Sequence, residues 1–327
     1  MKAHLFLFFL TIFTPLIAQD EDKTWKKEIP KIYIPKNGEN WFKIRFGMTW
    51  SELEEKHRPK IDDFLLKWRT AYPDDPEAWS SSASWLARNS FMMNMGNVAE
   101  GGAYVIDENG NAVSLETGKI IEIPKEVVLV KEKAKEAIVL YEKNIEKFPH
   151  RADFYLELAN FYIRIEQPQK AVPVMEKLSS AFPKIKDKIE IYNYRKIKDD
   201  PEFLVIDLMQ QVFITLDQEG GKDAVKLQNN IALLQTRFAP SHILGWNSLA
   251  YTMEKSGKPN EVYKALKMAL KIDPKDDIVR LNIANKCVEL DLDDEALTHW
   301  KWLEKNSKDE KLVKRAKAEI KALKSTE

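Results

Sequence analysis

The sequence predicts an all-α fold built from stacked helix pairs. Prolines recur at a fixed spacing of 34 residues, from Pro149 to Pro183 and from Pro240 to Pro274. Each of these prolines is expected to end a stretch with helical periodicity, so the repeating unit is one helix pair. Only 11 glycines occur among 327 residues, which leaves little room for the turns of an all-β fold. A fixed period of this length indicates a solenoid, and a solenoid offers a surface for binding rather than a pocket for catalysis.

The same residue types recur at equivalent places in three segments. Small residues occur where two helices must approach closely, and large apolar residues occur where a neighbouring helix must be contacted. The three sets, in chain order, are Tyr155, Leu158, Ala159, Tyr162, Glu166, Ala171, Met175 and Leu178; Trp246, Leu249, Ala250, Met253, Gly257, Val262, Leu266 and Ala269; and Arg280, Ile283, Ala284, Cys287, Asp291, Ala296, Trp300 and Leu303.

This pattern resembles the tetratricopeptide repeat (TPR) family. The third segment departs from the family at both ends, since Arg280 replaces the first aromatic residue and Lys308 replaces the final proline. The resemblance implies a right-handed α-solenoid of stacked helix pairs, with a concave groove lined by the first helix of each pair. It implies a protein or peptide partner without identifying it.

The first 18 residues have the features of a secretory signal peptide. Lys2 supplies a positive charge, an apolar run extends from Leu5 to Ile17, and a hydrophilic segment follows Ala18. An uncleaved membrane anchor is the alternative, but this run is shorter than the roughly 20 residues that span a bilayer. We therefore expect cleavage after Ala18 and a periplasmic or secreted protein, with no stable membrane insertion afterwards.

The region between the signal and the regular repeats has a mixed pattern. Residues 19–48 form an extended lead-in, and residues 49–149 are expected to be N-terminal helices with a small two- or three-stranded β-insertion at 103–123. Asn109-Gly110 lies between two β-prone runs, which is a strong hairpin signal. One helix is expected to run from Asp75 through Phe91 to about residue 95, and the next to resume near Pro124.

The rest of the chain is predicted to be helical. Residues 150–200 form a TPR-like unit with an extra helix at about 184–197, and residues 201–307 form further units. The regular helices among these are expected at about 243–256, 259–272, 277–289 and 293–305. Residues 308–327 form a C-terminal capping helix, which a solenoid needs because its last apolar face would otherwise be open.

Five polar residues are candidates for lining the groove that the resemblance implies. An Asn side chain can both donate to and accept from the backbone of an extended peptide. The alternative is the ordinary polarity of a solvated helix face. The candidates are Asn160, Arg164, Asn247, Tyr251 and Asn285.

No pattern in the sequence indicates catalysis, a cofactor or a metal. The segment Asp107-x-Asn109-x-Asn111 resembles the start of a calcium loop, but Ala112 stands where that loop requires glycine. The single cysteine, Cys287, allows no internal disulfide, and we interpret it as a buried apolar residue. With 51 basic and 51 acidic residues, the chain has no net charge that would attract nucleic acid or an anionic membrane.

Trp25 and Trp41 in the lead-in have no place in the repeat pattern. One interpretation is an N-terminal binding surface for protein or sugar, and the other is that both rings pack the lead-in onto the first helices.

The sequence therefore predicts an exported, non-enzymatic module that binds a protein or peptide. A glycan- or envelope-polymer-binding array is the alternative, and an enzyme is the least favoured class.

Overall fold

The structure, a computed structural model, describes residues 62, 65–66, 69–70, 72–93, 104–106, 112–114, 120–121, 127–191, 195–196 and 200–325. The backbone divides into two compact units, 1–74 and 75–327. In the first unit, the described residues between 62 and 70 are helical, as predicted for this stretch. The predicted signal peptide, the lead-in, Trp25, Trp41 and the Asn109-Gly110 turn lie outside the described residues.

The second unit consists mainly of helices, with their bounds as follows. They are α1 (Pro76–Arg88), α2 (Lys131–Lys147), α3 (Ala152–Arg164), α4 (Ala171–Ile185), α5 (Pro201–Glu219), α6 (Ala224–Phe238), α7 (Ile243–Lys255), α8 (Pro259–Ile272), α9 (Asp277–Glu289), α10 (Asp293–Asn306) and α11 (Glu310–Lys324). Short 3-10 turns occur at Pro168–Lys170, Lys186–Lys188 and Gly221–Asp223.

Consecutive helices pack against one another along the unit. One apolar core extends from α1 to α6, and a second extends from α7 to α11. The residues that the repeat pattern singled out lie in these cores, and Met175, Leu266 and Trp300 are almost completely buried. The predicted capping helix is present as α11, and its Ala316 and Ile320 are buried against the second core.

Aspartate side chains begin several of these helices. The Asp276 carboxylate accepts hydrogen bonds from the backbone N–H groups of Ile278 and Val279, both at 2.8 Å. Asp309 does the same at the start of α11. These bonds satisfy N–H groups that have no partner within the helix.

The prediction of a helix that runs from Asp75 through Phe91 to about residue 95 is wrong. Helix α1 ends at Arg88, and β1 (Phe91–Met93) pairs with β5 (Val127–Leu129) in antiparallel register. For the same reason the next helix begins at Lys131 rather than near Pro124. Short apolar runs rich in valine suit either structure, and here pairing between distant segments decides for strands.

The predicted β-insertion contains more than a hairpin. Strands β2 (Tyr104–Ile106), β3 (Ala112–Ser114) and β4 (Ile120–Ile121) form an antiparallel three-stranded sheet within the predicted interval 103–123. The separate β1–β5 pair lies on either side of this insertion in the chain.

The extra helix predicted at 184–197 is also wrong. Helix α4 continues past Pro183 to Ile185, and the chain then forms two strands, β6 (Glu190–Ile191) and β7 (Arg195–Lys196). Ile185 is buried, which offsets the loss of one helical hydrogen bond at Pro183. Ile189 and Ile191 are buried on alternate positions, which is strand periodicity.

Candidate functional site

The first helices of successive pairs are neighbours. Helix α3 packs against α5. The ring of Tyr251 on α7 meets the ring of Phe213 on α5 edge to face at 5.8 Å between centroids, and its hydroxyl donates to Asp217 at 3.1 Å. Lys286 Nζ on α9 lies 2.6 Å from Glu254 Oε2 on α7. We call the surface formed by α3, α5, α7 and α9 the first-helix face.

Three first helices are fastened to the preceding turn by the same hydrogen bond. In each case a side chain donates to the carbonyl of a proline six positions earlier. The pairs are Tyr155 with Pro149 at 3.3 Å, Trp246 with Pro240 at 2.9 Å, and Arg280 with Pro274 at 2.7 Å.

The same three helices end in equivalent backbone conformations. Glu166, Gly257 and Asp291 follow α3, α7 and α9 with φ values of 60°, 65° and 57°. This left-handed conformation is a common way to end a helix, and it turns the chain into the second helix of the pair.

The chain has a TPR-like fold. The paired helices, the proline contact and the equivalent turns recur at matching positions of α3, α7 and α9, which confirms the predicted α-solenoid of stacked helix pairs.

No protein-family model and no curated relative matches the chain. Among solved structures it is similar to YrrB, described as a TPR protein with an unusual peptide-binding site, with 13% identity, coverage of 78% of this chain and 97% of YrrB, and a TM-score of 0.37. A thermophilic TPR protein of Thermus thermophilus matches with 17% identity, coverage of 58% and 92%, and a TM-score of 0.32. MamA matches with 15% identity, coverage of 52% and 81%, and a TM-score of 0.31.

The TPR-like array places Asn160 and Arg164 one turn apart on α3. Arg164 is exposed at the end of the helix, and Asn160 is half-buried. The Asn160 Oδ1 atom is shielded from solvent and has no hydrogen-bond partner in the described part of the chain. A buried carbonyl oxygen without a donor is costly, so the Asn160 side chain gains little from its present packing.

On α7, Asn247 and Tyr251 differ in how they are held. Asn247 is half-buried, and no hydrogen bond of its side chain to another described residue is found. Tyr251 is fixed by Asp217 and by Phe213, and burial together with the Asp217 carboxylate raises its pKa to about 12. Its hydroxyl therefore serves the contact between α5 and α7.

The side chain of Asn285 on α9 is hydrogen-bonded to the capping helix. Its Oδ1 accepts a hydrogen bond of 2.7 Å from Arg315 Nη2 on α11. The cap therefore extends the row of first helices past α9, and Asn285 contributes to that packing.

Glu157 is a polar residue of this face that the sequence analysis missed. It is half-buried one turn before Asn160, and it accepts a hydrogen bond from Ser84 on α1 at 3.4 Å. Burial, followed by the charges of Asp153 and Glu77, raises the pKa of Glu157 to about 8. Its position four residues after Asp153 and three before Asn160 is the sequence signal that would have identified it.

A buried arginine, Arg151, contacts the carboxylates of Asp153 and Glu77. Arg151 is fully buried, forms two hydrogen bonds to Asp153 at 2.7 and 2.9 Å, and lies 2.8 Å from Glu77. It ties α1 to the start of α3, and a pair of this kind is costly to break from one side because it leaves a charge without compensation.

The described residues form no metal cluster, and their cysteine is protected from reaction. Among them, no group of three His, Cys, Asp or Glu side chains could hold a metal ion. Cys287 is buried, and burial raises the pKa of its thiol to about 12, which keeps it protonated and unreactive. Within the described ranges, no helix combines the length and the apolar character needed to cross a membrane.

Proposed function

We propose that this protein is an exported, non-enzymatic module whose first-helix face binds an extended segment of a protein partner. One observation carries the proposal. On α3 and α7, the half-buried side-chain amides of Asn160 and Asn247 make no hydrogen bond to another described residue. Amide groups on α3 and α7, which lie on either side of α5 in the row of first helices, suit the alternating donors and acceptors of a peptide backbone.

Arg164 adds charge selectivity to this surface. It is exposed next to Asn160, and a guanidinium binds carboxylates in two-point contacts. A partner segment with an acidic residue near its contact with α3 fits this arrangement.

The binding proposal is tested by calorimetry on a partner peptide identified by affinity capture. Replacing Asn160 and Asn247 by Ala, with Arg164→Glu, should weaken binding by about tenfold or more. The matched control is Asn260→Ala with Lys226→Glu, which alters exposed residues of α8 and α6. Equal affinity of both variants would exclude the first-helix face.

Export is a separate part of the proposal and has its own test. Mass spectrometry of the protein purified from its source cell should show a mature chain beginning at Gln19. A chain that retains residues 1–18 would contradict cleavage after Ala18.

A further inference from the structure

Helix α11 carries an uncompensated positive charge on its solvent side. It has six cationic residues and two acidic ones, Glu310 and Glu319, although the whole chain is neutral. All six cationic side chains are exposed, while Ala316 and Ile320 face the core. The cations are Lys311, Lys314, Arg315, Lys317, Lys321 and Lys324.

Four of the lysines form a row along the helix. Lys314, Lys317, Lys321 and Lys324 are separated by three, four and three positions. With about 100° of rotation and 1.5 Å of rise per residue, they lie within an arc of about 80° over about 15 Å. We call these four residues the lysine row.

The lysine row forms no ion pair within the described helices, although the exposed Glu310 lies one turn before Lys314. No ion pair or hydrogen bond to its four ammonium groups is found among residues 72–93, 127–191 and 200–325, the main described ranges. Arg315 on the same helix does have partners, Asn285 at 2.7 Å and Glu319 at 3.8 Å. The charge of the row is therefore available to a ligand.

The geometry favours a planar anionic surface. Lys311 extends the exposed positive face to an arc of about 140° around the helix, so several ammonium groups can face one broad anionic surface at once. The apolar side of α11 is already used in packing against α10, so the helix has no free apolar face to insert into lipid. Adsorption by charge alone is then the available mode, and rows of four to eight Lys or Arg on a helix bind anionic lipid in this way.

We propose that the lysine row docks this protein on a bilayer surface that contains anionic phospholipid. The row lies on the cap, so that partner binding at α3 and α7 is independent of this contact. The proposal does not depend on the function proposed above.

Co-sedimentation of the chain from Gln19 onward, which lacks the apolar run Leu5–Ile17, with vesicles tests this docking. We expect binding to vesicles of about 30% phosphatidylglycerol in phosphatidylcholine, and about tenfold weaker binding to pure phosphatidylcholine. Binding to the anionic vesicles should be lost as the salt concentration rises from about 50 to about 300 mM, because salt screens the charge.

The decisive variant replaces all four lysines of the row by Gln and should reduce binding by about tenfold or more. Its control replaces four other exposed lysines by Gln and has the same net charge: Lys131, Lys133, Lys143 and Lys184 on α2 and α4. Circular dichroism checks that both variants are folded. Equal binding of the two variants, no binding of the parent protein to anionic vesicles, or binding to heparin but not to vesicles would each overturn the proposal.

Discussion

Arg280 donates two hydrogen bonds to the carbonyl of Pro274, from Nε at 3.1 Å and from Nη2 at 2.7 Å. It thereby takes the place of the indole of Trp246, which donates to Pro240 at 2.9 Å. Its guanidinium also stacks on Trp302 at 3.9 Å from the ring centroid. The substitution that departs most clearly from the repeat pattern thus preserves the contact that the aromatic residue makes.

The contribution of this contact can be measured at Tyr155. Tyr155→Phe removes only the hydroxyl that donates to Pro149, so the free energy of unfolding should fall by about 1 kcal/mol. Trp246→Phe should lower it by a similar or larger amount, since the ring also becomes smaller. Urea denaturation of the purified variants gives both values, and an unchanged midpoint for Tyr155→Phe would contradict a net stabilising role.

Replacing Glu166 or Asp291, which follow the ends of α3 and α9, by glycine should stabilise the protein. Both residues have positive φ, which costs a residue with a Cβ about 1 kcal/mol or more. Glu166→Gly and Asp291→Gly should each raise the melting temperature, while Gly257→Ala should lower it. Glu166→Ala is the control, since Ala retains the Cβ and should bring no gain.

The Glu157 carboxyl should make stability depend on pH. Its pKa is raised to about 8 in the folded protein from 4.5, so the folded state holds the proton more tightly than the unfolded state. Stability should therefore fall as pH rises from about 4.5 to about 8, because ionisation of Glu157 is unfavourable in the fold. Glu157→Gln should remove this part of the pH dependence and stabilise the protein by about 1 to 3 kcal/mol at pH 8.5.

Unfolding curves at pH 5 and pH 8.5 provide the comparison. The difference between the parent and Glu157→Gln should be small at the lower pH and large at the higher one. A constant difference at both pH values would show that Glu157 does not hold the extra proton.

Replacing Asn144 by an apolar residue should stabilise the protein. Its side chain is fully buried on α2, and neither amide atom has a hydrogen-bond partner in the described structure. Asn144→Leu is expected to stabilise the protein by about 1 kcal/mol, because an unpaired buried amide is costly. Gln228→Leu is the contrasting variant, since it removes a donor that reaches the Phe213 carbonyl at 3.1 Å, and it should destabilise.

The helix bounds could be predicted closely where the repeat is regular. Helices α7 to α10 were expected at 243–256, 259–272, 277–289 and 293–305, and each observed end lies within one residue of these values. The reason is that helical hydrogen bonds join residues four positions apart, so a window of sequence contains most of the information.

Which of the candidate groove residues are already hydrogen-bonded within the protein could not be predicted in the same way. Tyr251 and Asn285 were expected to face a ligand, but they are bound by Asp217, 34 positions away, and by Arg315, 30 positions away. Asn160 has the same residue type as Asn285 and keeps an unsatisfied oxygen. Only the packing of neighbouring elements separates these two cases.

The sequence by itself determined the period, the helix pairs and the position of the cap, because each rests on local periodicity and on the spacing of proline and small residues. The tertiary structure decided that Phe91–Met93 and Glu190–Ile191 are strands rather than helix, and which polar groups of the first-helix face remain without partners. Strand pairing and side-chain hydrogen bonds join residues far apart in the chain, and the energy of such contacts is not encoded in any single segment.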